Sequence, residues 1–293
     1  MPFFQMMNVF LKILFIFAKE LFENMKNTII TLIIIELLVA GCMQAREKQS
    51  HNEPIVYVGG YQLSTQNVLA AVLWKNGIPQ NLSKGIEVSY ESGFSVLEAG
   101  CSIYISGNDV YVAGYENRCN EGIPKFWKNG VAQNIPDDSR WGTANSVFVS
   151  DSDIYVTGSK TWKNGNVLYE HGDGGYGNSV FVSDSDVYIA GRYGYDAVLW
   201  KNGIAENLPG REGGGDAMAN SVYISGSDIY VAGWKGFFHD NGTAYLIAVL
   251  WKNSVEIQLT DGTNEAEANA VFVSGNDVYV AGIDNHDAVL LKN

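Results

Sequence analysis

The chain has 293 residues, a net charge of −13, and 12% aromatic residues. So acidic a balance argues against nucleic acid as a partner, because phosphates need a basic footprint, and against docking of the protein surface on anionic lipid. The 32 glycines and only 6 prolines, set among short β-branched runs, point to all-β structure.

The first element along the chain reads as an export signal. Met25-Lys26-Asn27 is a short polar start, and Ile29 to Val39 is an apolar core interrupted by Glu36. Val39-Ala40-Gly41-Cys42 then places small residues before a cysteine. These four residues resemble the lipobox of bacterial lipoproteins, whose cysteine is acylated and becomes the mature N-terminus. The resemblance implies a signal peptide over 1–41, a lipid on Cys42, a linker over 42–53, and a place in the bacterial cell envelope, periplasmic or at the cell surface. The membrane is then reached through the lipid anchor only. The apolar run is short for a membrane span. Residues 1–24 carry a second apolar segment, Phe10 to Phe17, ahead of a signal already complete from Met25. They read as an extension upstream of the true start.

From 54 to 293 the chain repeats one pattern six times at a spacing of about 40 residues. Tyr-Val-Ala-Gly or a close variant begins at Tyr57, Tyr111, Tyr155, Tyr188, Tyr230 and Tyr279. Trp-Lys-Asn begins at Trp74, Trp127, Trp162, Trp200 and Trp251, with Leu291-Lys-Asn in the last copy. Within a copy, Asn145 to Ser150 alternates polar and apolar residues and predicts a strand. A tight turn at Asp151-Ser152-Asp153 leads to a second strand, Ile154 to Gly158. Ala197 to Lys201 predicts the third strand, Asn202-Gly203 a two-residue hairpin turn, and Ile204 to Leu208 the fourth. Each copy is a four-stranded antiparallel meander. Copy one lacks its first strand and copy six its fourth.

Lone meanders leave apolar faces exposed, and radial stacking buries them, which is the logic of a β-propeller. Strand order and the glycine ending strand two resemble the kelch repeat over nearly all of 54–293. Tyr57-Val58-Gly59-Gly60 keeps the kelch double glycine, whereas the other copies have one, and Trp-Lys-Asn-Gly replaces the kelch aromatic spacing. The expectation is a kelch-like, all-β propeller of six blades in one domain.

In such a meander, turns 1–2 and 3–4 share one face of the ring, while connections 2–3 and 4–1 share the other. The first set hardly changes between copies and the second differs in each, which marks the second as the binding face. Arg118, Arg140, Arg192 and Arg211 fall in these variable connections, and Arg suits carboxylate or phosphate. Trp141, Tyr193, Tyr195, Trp234, Phe237 and Phe238 offer flat surfaces beside them. An anionic or sugar-like ligand is the expectation. His239 and His286 lie in the 2–3 connections of copies five and six, where a pair can bind a metal or serve as acid and base, or stand as solvated loop histidines. Cys101 and Cys119 flank one predicted hairpin and form the expected disulfide of an exported protein.

Other features read as structure. Asp151/Asp153 and Asp184/Asp186 look like half a calcium loop, but a strand starts at once after the second Asp and other copies place Gly-Asn-Asp or Gly-Ser-Asp there, as turns do. Asp261, Asn264, Glu265 and Glu267 read as a solvated acidic loop. No HExxH, no CxxC pair and no Gly-x-Ser-x-Gly elbow occurs, and no metal or cofactor is expected. Trp-Lys-Asn-Gly recurs in every copy and so reads as packing and turn, not as a site. The resulting expectation is a non-catalytic binding module for a protein, peptide or glycan. A glycan-active hydrolase or lyase, or a structural partner in an envelope complex, are the alternatives on the same scaffold.

Overall fold

The computed structural model describes residues 55–63, 68–82, 86–87, 99–118, 121–137, 142–210, 215–238 and 244–292. Cys42, the signal and the linker lie outside them. Among the described residues every regular element is a strand, and the 23 strands form six antiparallel sheets in chain order. The first holds β1 (Tyr57–Leu63), β2 (Val68–Lys75), β3 (Ile78–Asn81) and the short β4 (Ile86–Glu87). The second holds β5 (Ala99–Ser106), β6 (Asp109–Arg118), β7 (Glu121–Lys128) and β8 (Val131–Asn134). The third holds β9 (Ala144–Ser150), β10 (Asp153–Gly158), β11 (Lys160–Lys163) and β12 (Asn166–Glu170). The fourth holds β13 (Gly175–Ser183), β14 (Asp186–Tyr193), β15 (Asp196–Lys201) and β16 (Ile204–Asn207). The fifth holds β17 (Ala217–Ser225), β18 (Asp228–Phe238), β19 (Ala244–Lys252) and β20 (Val255–Gln258). The sixth holds β21 (Ala266–Ser274), β22 (Asp277–Asp284) and β23 (Asp287–Lys292).

Sheets two to five are the expected meanders. Among the described residues the first sheet has no strand inside β1; β4 pairs with the start of β2, Val68 opposite Glu87. Serial antiparallel sheets of this kind are consistent with a β-propeller.

Two backbone devices shape each sheet. The hairpin after Trp-Lys puts both turn residues at positive φ, 49° and 79° at Asn76-Gly77 and 53° and 80° at Asn202-Gly203. That is the type I′ turn, whose twist matches the strands it joins. The glycine ending Tyr-Val-Ala-Gly has another cause. A Cβ on Gly233 would collide with the carbonyl of Met218, and one on Gly191 with that of Tyr176. Beside these glycines the innermost strand carries one extra residue, Asn178 in the fourth sheet and Asn220 in the fifth. The glycine thus belongs to a β-bulge, not to a turn.

Each sheet has two apolar faces, and successive sheets bury them against each other. Tyr188, Ala190 and Leu199 of the fourth sheet pack on Val222, Val231, Val249 and Trp251 of the fifth. Tyr111, Ala113 and Phe126 of the second pack likewise on Val147, Val156 and Trp162 of the third. Alternation along a strand produces this division, because neighbouring side chains point to opposite faces. The tryptophan is the largest piece, fully buried at Trp127, Trp162 and Trp251. Its indole N–H still needs an acceptor: Trp162 Nε1 donates to Pro136 O at 2.8 Å and Trp251 Nε1 to Pro209 O at 2.7 Å.

The innermost strands are knitted by the repeated Asn-Ser. Asn145 donates to Gly177 O, Asn178 to Ala219 O and Asn220 to Ala268 O, each in the next sheet. The next hydroxyl accepts across the same seam: Ser102 from Val147 N, Ser146 from Val180 N, Ser179 from Val222 N and Ser221 from Val271 N. Tyr104, Phe148, Phe181, Tyr223 and Phe272 add an aromatic ladder, with successive ring centroids 4.7–5.1 Å apart.

The third sheet breaks the pattern. Thr157, Thr161 and His171 stand where the fourth has Ala190, Leu199 and Leu208. All three are buried. The two hydroxyls are 2.7 Å apart, and His171 Nε2 lies 3.1 Å from Thr161 and 3.4 Å from Thr157. Nδ1 has no hydrogen-bond partner, and the ring packs on Trp200 at 4.6 Å. The added hydroxyl is matched across the interface: Gly177 replaces the Ala219 of the next sheet, and a Cβ there would strike Thr157 Oγ1.

Two measurements test this account. Trp251→Ala lowers unfolding free energy by about 3–5 kcal/mol, and Trp74→Ala, at a half-buried site, by less; chemical denaturation ranks them. Burial holds the His171 ring down to about 4 from 6.5, with the Lys160 backbone offsetting part of the shift. The unfolded chain therefore takes up a proton that the folded chain refuses. His171 costs nothing above pH 6.5, and stability falls between 6.5 and about 4 by about 3 kcal/mol in total. His171→Leu removes that slope, and an unchanged pH profile in the variant refutes the assignment.

Candidate functional site

The turn face is occupied by one motif used over and over. The Asp that ends turn 1–2 meets the Lys and Asn of turn 3–4. Lys Nζ lies 2.7–2.8 Å from the carboxylate in the pairs Lys128–Asp109, Lys163–Asp153, Lys201–Asp186, Lys252–Asp228 and Lys292–Asp277. The amides of Asn129, Asn164, Asn202 and Asn253 donate to the other carboxylate oxygen at 2.7–2.9 Å. Their Oδ1 atoms accept from the backbone N–H after the Asp. Each Lys also sits over the tyrosine of its own sheet, 5.2–5.4 Å from the ring centre in sheets two to six. The lysine hydrogen bond, first among several causes, holds all five carboxyls below the usual range. The same bond raises each lysine. Asp153 and Asp186 are thus clamp residues, in keeping with their reading as turns. In the first sheet Ile55 takes the place of the Asp, while Val56 N still donates to Asn76 Oδ1 at 2.7 Å.

The opposite face carries what does not repeat. The residue just past the strand-two glycine is Tyr61, Tyr115, Ser159, Arg192, Trp234 or Ile283. In sheets two to five strand alternation puts this residue on the side of the residue two positions earlier and the Tyr four positions earlier, toward the following sheet. Its cross-strand partner on the innermost strand varies as well: Tyr176 opposite Arg192, Met218 opposite Trp234, Glu267 opposite Ile283.

Of the arginines, aromatics and histidines singled out in the sequence, Arg192, Tyr193, Tyr195, Trp234 and His286 have described side chains. Arg192 is committed: Nη2 bonds Asp216 Oδ2 at 2.9 Å and Nε donates to Gly194 O at 2.6 Å. Tyr193 is exposed at the end of β14, over Gly172. Trp234 is half-buried in β18. His286 is exposed in the β22–β23 turn at φ 69°. Arg118 closes β6 opposite Glu121, and its side chain is outside the described residues. Arg140, Trp141, Arg211 and His239 also lie outside them. Cys101 is the bulge residue of β5, where other sheets place Asn. Its side chain and Cys119 lie outside the described residues, and the expected disulfide with them.

Other groups on this face are tied locally. Asp261 accepts from the backbone and hydroxyl of Thr263, and the hydroxyl bond is the larger cause of its lowered carboxyl. Glu267 is raised by burial first and by Glu265 second. No group of three or more His, Cys, Asp and Glu is placed to hold a metal among the described residues. Sequence reasoning missed Asp216 as the partner of Arg192. Only an Arg in one copy followed by an Asp before the next copy's first strand hints at it.

No family model matches the chain, and no curated protein matches it. Among solved structures, "Structure of YjhT" is similar at 10% identity and a TM-score of 0.43, covering 85% of this chain and 93% of that one. The tricorn protease is similar at 11% identity and a TM-score of 0.39, covering 81% of this chain and 26% of that one.

The clamps yield a stability prediction with a defined sign. Carboxyls held low in the folded state contribute fully above the unfolded carboxylate value and lose that contribution as pH falls from there through the lowered folded value. Asp228→Ala therefore lowers the melting temperature at neutral pH, and less so under acid or at high salt. Calorimetry at neutral pH and near pH 3 checks this; an equal loss at both refutes the clamp.

Proposed function

We propose that the chain is a six-bladed, kelch-like β-propeller that works as a non-catalytic binding module, exported and anchored by a lipid on Cys42. Its ligand docks on the face of the variable connections. The contrast between the two faces carries this reading. On one, the Asp-Lys-Asn-Tyr clamp recurs and spends its polar groups internally. On the other, the residue after each strand-two glycine is free to differ from sheet to sheet. A structural need recurs per blade, whereas a site is usually in one place.

Ring closure is part of the same proposal. Leu290 of the sixth sheet is 39% exposed, while its counterparts Leu199 and Leu250 are 3% and 7% exposed. Trp74 of the first sheet is half-buried, while Trp127, Trp162 and Trp251 are fully buried. Closure of the sixth sheet on the first covers both. Mass spectrometry of the exported protein tests the acyl group on Cys42.

Binding is tested with the full chain on a glycan and peptide array. Trp234→Ala or Tyr115→Ala on the variable face abolishes the signal, and Asp228→Ala on the clamp face leaves it intact. Turnover of a bound glycan, lost in His286→Ala, overturns the reading in favour of a hydrolase or lyase. A stable protein partner with no array signal overturns it in favour of a structural role.

A further inference from the structure

The best-built part of the variable face lies where the fourth sheet meets the fifth. Arg192, Tyr193, Gly194 and Tyr195 form the tip of the β14–β15 hairpin. Arg192 is only 16% exposed in its side chain, and its partner Asp216 is 44% exposed. Two of the five guanidinium N–H groups go to Gly194 O and Asp216. The guanidinium also stands over the Tyr195 ring, 5.6 Å from its centre. Both neighbouring tyrosines face solvent, Tyr193 at 47% and Tyr195 at 59% exposure.

This tip is fixed to both sheets. Ala217 N donates to Tyr195 O at 2.8 Å, and Gly236 N donates to Asp216 O at 2.6 Å. Asp216 therefore ties β18 of the fifth sheet to the arginine of the fourth. Tyr193 rests over Gly172, where a Cβ would come within 3.1 Å of the ring. Such groups are held before a ligand arrives, so little ordering is left for binding to do.

Their chemistry selects a ligand class. The exposed Tyr195 ring, held beside the guanidinium, offers flat apolar surface, which suits the C–H face of a pyranose. A guanidinium and a carboxylate side by side supply donors and acceptors together, which suits sugar hydroxyls, since each both donates and accepts. The charge of Arg192 is balanced by Asp216, and the whole chain is at −13. A ligand bearing a carboxylate or phosphate finds no unpaired cation in this group. We propose that the Arg192–Asp216 pair with Tyr195 is a subsite for an uncharged saccharide, stacked on Tyr195 and hydrogen-bonded to the ion pair. This rests on the variable face being the binding face, and it departs from the anionic ligand that four loop arginines suggest.

The test titrates the full chain by calorimetry with neutral oligosaccharides of several pyranose types, alongside sialylated and uronic-acid counterparts. Neutral sugars bind, and the affinity is unchanged from low salt to roughly 0.5 M, where exposed charge interactions are screened. Tyr195→Ala weakens binding about tenfold, the worth of one aromatic contact. Arg192→Lys keeps the charge, loses the planar fork, and weakens binding similarly. Asp228→Ala on the clamp face changes nothing. If only acidic saccharides bind, with affinity falling as salt rises, the ligand class is wrong. If neutral sugars bind as tightly to Tyr195→Ala and Arg192→Lys but not to Trp234→Ala, the subsite is wrong and the face is right. If no saccharide binds while a peptide does at the variable face, the subsite falls and the wider reading stands.

Discussion

A sheet with two apolar faces and no helix over either must bury both against other sheets. Among the described residues no helix is present to help, so each of sheets two to five depends on the one before it and the one after. Most of the repeat follows from that demand. The Tyr and Ala of strand two pack one way and the Val between them the other. The tryptophan belongs to the second face, where its ring fills the space against the preceding sheet and its N–H finds a loop carbonyl. Even the glycine is a packing residue, since it lets the bulged inner strand come close enough for Asn-Ser to reach the next sheet.

Polar groups are placed so as not to disturb this arrangement. The seam asparagines and serines satisfy backbone groups of the neighbouring strand, which a purely apolar inner strand would leave unpaired. The clamp carboxylates join two hairpin turns that are close in space but separated by 11 residues in the third sheet and 25 in the fifth. Because the connection inside the clamp varies in length while its ends stay fixed, loops can change without loosening the turns. Arg192 and Asp216 use the same charge pairing on the face where the connections are free to vary.

How much of this the sequence shows depends on periodicity. Strands such as Asp153–Gly158 and Ile204–Asn207 fall within a residue or two of their expected positions, because alternation and Asn-Gly turns are local signals. The single role of Trp-Lys-Asn-Gly in packing and turning was also legible. The clamp was not: Asp and Lys-Asn lie in different motifs at changing separation, and only the folded sheet brings them together. Asp216 is harder still, because it occurs once and no comparison between copies can mark it. Arg192 was visible as an arginine in a loop, but the charge that balances it was not.

Near-identical interfaces carry a hazard in an array like this, since any sheet can in principle pack where another belongs. The junction of the third and fourth sheets is the exception. Thr157 is larger than the alanine at its place in sheets two, four, five and six, and Gly177 is smaller than the alanine at its place in sheets three, five and six. A fifth sheet set against the third would drive the Ala219 methyl into the Thr157 hydroxyl, and a second sheet set against the fourth would leave a void beside Gly177. The pair acts as a serial number stamped on one joint, and it bars the third sheet from packing on the fifth or the sixth, whose alanines Ala219 and Ala268 stand where Gly177 does.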